Sequence, residues 1–202
     1  MKKRYITAGI LLLAALTLTL CAVCQQSQQR LSQKLIRLHV VANSDAPDDQ
    51  AVKLLVRDAV LQEAAIALEN AEDPEAALQA AIPALTRAAN ETLCSQGCPE
   101  TAAVSLRREL FPTREYDTFR LPAGVYKSLR VTIGKGEGRN WWCVVFPALC
   151  LPASSEELTQ ACLAAGFTEG EVAVLTEDTE TVELEFKTLE LLGKLKKLLW
   201  DA

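Results

Sequence analysis

A chain of 202 residues, half of them hydrophobic, can bury a core that removes about 70% of its extended surface from water, and one domain of ordinary size is the expectation. Its net charge is −5, with no run of Lys and Arg dense enough to neutralise a series of phosphates, so nucleic acid is excluded as the expected partner.

Lys2, Lys3 and Arg4 precede an apolar run from Tyr5 to Cys24 that no acid interrupts, which is the basic head and greasy middle of a secretory leader. A run of about 18 to 20 residues is also long enough for one membrane span. Ala22 and Cys24 make a mediocre small pair for cleavage, so residues 1–24 read as a signal peptide or an N-terminal anchor. Lys2 to Arg4 stay cytoplasmic in either case, and everything after Gln25 lies outside, with membrane contact through the leader if it is uncleaved. The leader holds three bases and no acid, which leaves −8 on the remainder. Residues 25–30, mostly Gln, read as a polar linker, and 31–202 as a single exported domain.

Leu35 to Ala42 is aliphatic and β-branched and predicts a strand, stopped by Asn43, Ser44, Asp45 and Pro47. Ser44 or Asp45 is the expected cap of a helix from Pro47 to Leu68, whose apolar stripe is Val52, Leu55, Val56, Ala59 and Val60. Asp73 and Pro74 start a second helix with Leu78, Ile82, Leu85, Ala89 and Leu93 on one face, and Pro83 should kink or split it. After Gly97 the period changes to two: Val104, Leu106 and Leu110 alternate with polar residues as on a half-buried strand. Strands at Val125 to Ile133 and Asn140 to Phe146 flank a loop carrying Gly134, Gly136 and Gly138, which reads as a hairpin connection. Ser154 or Ser155 caps a helix ended by Gly166. A strand near Val172 to Leu175 and another at Thr181 to Lys187 follow, and a helix with Leu191, Leu192, Leu195, Leu198 and Leu199 on one face closes the chain. Helices clustered early and late around hairpin-like strands predict an α+β fold with a mainly antiparallel sheet packed with several helices, preceded by the leader.

Chemistry is thinly represented. His39 is the one histidine and lies in an apolar strand; Ser44 and Asp45 are near it in sequence, but a hydrolytic triad needs convergence in space, and capping already accounts for both. Cys94 and Cys98 with Cys143 and Cys150 have spacings that match no standard zinc site, so no metal is expected. The glycine loop lacks the Lys-Ser or Lys-Thr pair of a phosphate cradle and precedes a strand, so no cofactor is expected. Asp48 with Asp49 and Glu156 with Glu157 fall in first turns of helices, where they oppose the macrodipole. Trp141 and Trp142 are adjacent on a strand and point to opposite faces: either one of them anchors a partner or the strand is covered on both sides.

Two long blocks, RLHVVANSDAPDDQAVKLLVRDAVL from Arg37 to Leu61 and LPAGVYKSLRVTIGKGEGRNWWCVVFPALC from Leu121 to Cys150, with a weaker VELEFKTLELLGKLKKL near the end, resemble the stage II sporulation protein R family. Residues from Glu69 to Glu100 carry little of the family pattern. The resemblance implies a non-enzymatic signal made in the forespore and exported into the intermembrane space. There it activates a membrane-embedded aspartic peptidase that removes the pro-sequence of sigma-E. The expected contact surface comprises Asn43, Asp45, Gly134, Gly138, Asn140, Trp141 and Trp142, at a strand-to-helix junction beside the glycine loop. Cys143 and Cys150 are expected to form a disulfide, from their place in the second block, their short separation and the intervening Pro147. The competing reading is an exported hydrolase using Ser44 and His39.

Overall fold

Six consecutive buried residues, IRLHVV, form the first strand, β1 (Ile36–Val41), and a strand enclosed along its whole length needs a neighbour on each edge and a cover on each face. The remaining elements supply them. The structure, a computed structural model, describes residues 29–150 and 154–176, with isolated positions before them. The leader, the predicted strand at Thr181 to Lys187 and the predicted closing helix lie outside the described residues.

Helices α1 (Pro47–Leu68) and α2 (Pro74–Ser95) follow β1, then β2 (Ala102–Phe111), the short β3 (Arg114–Glu115) and β4 (Arg120–Leu121), β5 (Gly124–Ile133), β6 (Asn140–Phe146), and helices α3 (Ser155–Ala164) and α4 (Glu169–Thr176). The four-stranded sheet has the order β2-β5-β1-β6. The β1–β5 pair is parallel, whereas β1–β6 and β2–β5 are antiparallel, so the α+β expectation stands with a mixed, mostly antiparallel sheet. β3 and β4 make a separate two-stranded ribbon.

Side-chain alternation splits β1 between two layers. Ile36, Leu38 and Val40 join Leu129, Val131, Cys143 and Val145 beneath α1 and α2, where Val56, Val60, Leu78, Leu85 and Leu93 complete one core. Burying each such side chain contributes about 1.5–3 kcal/mol. Arg37 and His39 point to the opposite face. A second apolar cluster of Phe111, Leu121, Tyr126, Val144, Leu158, Cys162, Phe167, Val172 and Leu175 covers one end of that face beneath α3 and α4.

Several expectations are corrected. The segment at 134–139 is not a hairpin: β5 and β6 do not pair, because β1 lies between them, and the loop crosses over the end of β1. A strand buried along its whole length gains more from two flanking ladders than a β5–β6 pair would from one. Pro83 does not divide α2, which runs unbroken from Pro74 to Ser95. Pro83 and Gln79 are both exposed, so the carbonyl that loses its amide partner is open to water. Val172 to Leu175 is helical, within α4; the two residues lie one turn apart and enter the second cluster together. Leu55 and Leu110 leave their predicted stripes and are 42% and 72% exposed. On α1 the buried line is Lys53, Val56, Val60 and Ala64, and at the far end of β2 the enclosed residue is Phe111, on the opposite face. The predicted cap of α1 also changes: Ala46 occupies that position without a side-chain bond, since Ser44 and Asp45 are engaged elsewhere. Asp73 and Ser154 do cap α2 and α3, the latter with Glu157 in a reciprocal capping box.

Candidate partner-binding site

The junction between β1 and α1 carries short polar side chains because the backbone there leaves one regular ladder before entering another, and its groups need local partners. The crossover loop provides them. Asn43 Oδ1 accepts from the Lys135 amide at 3.0 Å, and Asp45 Oδ1 accepts from the Arg139 amide at 2.7 Å. The Gly138 and Glu137 amides donate to the Ala42 and Asn43 carbonyls at 2.9 and 3.2 Å. On the α1 side, the Ser44 hydroxyl donates to Asp49 Oδ2 at 2.5 Å and Asn43 Nδ2 donates to the same oxygen at 3.1 Å. Lys53, buried on the first turns of α1, donates to Gln50 Oε1 at 2.7 Å and to the Arg139 carbonyl at 3.1 Å. Burial pushes the Lys53 pKa down and the nearby Arg139 adds to it.

Two glycines permit this clasp. Gly134 has φ +54°, and a Cβ there would run into the Asn43 amide; a Cβ on Gly138 would collide with the Ser44 carbonyl. Of the predicted surface residues, the structure therefore brings Asn43, Asp45, Gly134 and Gly138 into one bonded unit in which Arg139, Asp45 and Lys135 remain exposed.

Trp141 and Trp142 do point to opposite faces, and both are half-buried. Trp141 packs on the α1 side with the Arg57 guanidinium 4.4 Å from its ring centroid, and Trp142 on the other side carries Arg114 at 3.8 Å. Each ring is thus covered on one face by a cation, an arrangement that holds an aromatic at a surface without exposing it fully. Asn140, exposed at the start of β6, uses Oδ1 for the His39 Nε2 at 2.8 Å.

His39 is built into a polar network and not into a nucleophile's base. Its Nδ1 lies 3.1 Å from Glu109 Oε2 and 3.2 Å from Arg130 Nη1, so with a proton it donates to the carboxylate and without one it accepts from the guanidinium. Glu109 also accepts from Ser128 Oγ at 2.6 Å, Arg107 Nη2 at 2.6 Å and Arg130 Nη1 at 2.9 Å. Burial pushes the Glu109 carboxyl up, but the hydrogen bonds from Ser128, Arg107, His39 and Arg130 outweigh it and hold the group at about 2. Ser44 bonds Asp49 and the Ala46 amide, not His39. Cys143 and Cys150 stand as a disulfide pair with Cα atoms 5.3 Å apart, while Cys94 is exposed, Cys98 half-buried and Cys162 buried.

Sequence reasoning missed Lys53, Asp49, Glu109 and Arg130. Lys53 carried a readable signal, a cation on the buried side of an amphipathic helix. Glu109 carried none, since an acid at a polar position of an alternating strand reads as solvated.

A family model described as Stage II sporulation protein R matches residues 32–156, from just before β1 into α3. Stage II sporulation protein R of Bacillus subtilis (strain 168) is 36% identical over 118 residues, covering 57% of this chain and 53% of that protein. The chain thus spans about half the length of the curated relative it matches. No solved structure matches it.

Proposed function

We propose that this chain, which belongs to the stage II sporulation protein R family, acts in sporulation as an exported binding signal. In this reading it leaves the forespore through residues 1–24, and its folded part biases a membrane-embedded aspartic peptidase toward the state that processes pro-sigma-E. Only a difference in affinity for the active and inactive peptidase is needed, with no bond made or broken by the signal itself. The supporting observation is the clasp: residues of both family-like blocks, remote in sequence, bond to each other and present Asp45, Lys135 and Arg139 on a fixed surface beside the two tryptophans. Such preorganisation lowers the entropy cost of docking. The hydrolase reading draws less support, because the Ser44 hydroxyl is given to Asp49 and both His39 nitrogens are occupied.

The test is co-expression with the peptidase and pro-sigma-E in a non-sporulating host. Ser44→Ala is expected to process normally, and Arg139→Glu, an exposed change, is expected to reduce processing in a chain that still folds. A folded Ser44→Ala protein that binds the peptidase but no longer activates it would replace this reading with the hydrolase.

A further inference from the structure

Arg37 is the largest wholly enclosed side chain among the described residues, with an exposure of 0%. Its guanidinium carbon lies 4.1 Å from the Phe111 ring centroid and 5.0 Å from that of Tyr126, between the two rings. Nη2 donates to the Tyr116 hydroxyl at 2.9 Å, whereas Nε and Nη1 have no hydrogen-bond partner among the described residues. Aromatic faces attract the charge but do not replace an in-plane acceptor for each N–H. Burial lowers the Arg37 pKa, Tyr116 and Tyr126 oppose the lowering, and Arg114 adds to it; among the described residues no carboxylate acts on it. The carboxylate on the same face, Glu109, is committed to Ser128, His39, Arg107 and Arg130.

Arg114 shares the condition. It stacks on Trp142, and its Nε is buried without an acceptor among the described residues. Two guanidinium groups that repel each other, with three enclosed N–H positions unmet among the described residues, are an arrangement that water-to-protein transfer disfavours strongly unless an anion completes it.

We propose that Arg37 and Arg114 form an internal seat for one carboxylate, closed over by the β3–β4 ribbon that carries Tyr116. A planar monoanion matches the fork geometry of guanidinium donors. The carboxylate has two sources. One is the acid-rich stretch of this chain from Glu177 to Glu190, six acids in sequence directly after α4, which packs into the same cluster as Phe111 and Tyr126. The other is an acid from a separate molecule. The seat goes beyond the partner surface proposed above and adjoins it through Arg114, which stacks on Trp142.

The experiment measures thermal unfolding of the full-length chain in detergent, with sodium acetate against sodium chloride at matched ionic strength. Wild type is compared with Arg37→Met and with the acids from Glu177 to Glu190 changed singly to their amides. If a separate acid fills the seat, acetate raises the Tm of wild type above the chloride control and the rise disappears in Arg37→Met. If the chain's own acid fills it, acetate leaves wild type unchanged, one amide variant melts lower, and acetate restores that variant alone. Should Arg37→Met not fold, Arg114→Met serves in the same comparison. The proposal is overturned if acetate and chloride act alike on wild type and on every amide variant, since the buried cations are then completed without a carboxylate.

Discussion

Replacing Glu109 by Gln keeps the shape of the side chain and removes the charge on which Arg107, Arg130, His39 and Ser128 converge. The carboxylate is 13% exposed, so solvent screens it little. Its pKa falls from the ordinary 4.5 to about 2 on folding, which converts to about 3 kcal/mol at ~1.4 kcal/mol per pH unit. The direction follows from the depressed value: the contribution is complete above about 4.5 and is lost as the pH falls toward 2, with more than half gone near pH 3. Urea unfolding followed by tryptophan fluorescence should therefore show Glu109→Gln less stable than wild type by about 2–3 kcal/mol at pH 7 and by much less at pH 3. Equal stability at pH 7, or an unchanged gap between the two proteins at pH 3, would refute the network as drawn.

Gly138→Ala places a methyl group against the Ser44 carbonyl and is expected to cost about 1–3 kcal/mol in thermal unfolding, with a smaller loss if the crossover loop is free to move. Pro83→Ala restores a backbone hydrogen bond on the exposed side of an unbroken helix and should stabilise by about 1 kcal/mol or more; a destabilised variant would mean that the proline sets a bend on which the α1–α2 packing depends. Peptide mapping without reductant is expected to recover Cys143 linked to Cys150, and alkylation of both as free thiols in freshly exported protein would contradict the pairing. Protease added to intact protoplasts should digest the chain after Gln25, and survival beside a digested exported control would contradict export.

What the sequence disclosed was local. The span of α1, the Asp73 and Ser154 caps and the opposite orientations of Trp141 and Trp142 each depend on residues a few positions apart, where periodicity and capping chemistry act. The insertion of β1 between β5 and β6 was not legible, because it turns on competition between pairings about 90 to 110 residues apart, and a glycine-rich loop of six residues suits a hairpin and a crossover equally. The same limit hid part of the candidate site. Asn43 and Asp45 read as helix-start residues, and only the tertiary approach of Lys135 and Arg139 converts them into the two halves of a clasp. Glu109 gave no sign because its partners Ser128, Arg130 and His39 come from β5 and β1.

The place of β1 in the sheet also sets a timetable for folding. The strand comes first in the sheet by sequence, yet its neighbours are completed only at Ile133 and Phe146. A chain that emerges from its N-terminus onward therefore carries an unpaired edge on each side of Ile36–Val41 until β5 has followed, and on the β6 side until more than a hundred further residues have followed. Contacts so far apart make folding slow and nearly all-or-none. A chain cut short before β6 retains an open edge on its most fully buried strand, which makes such fragments natural seeds for aggregation and ready targets for proteolytic clearance.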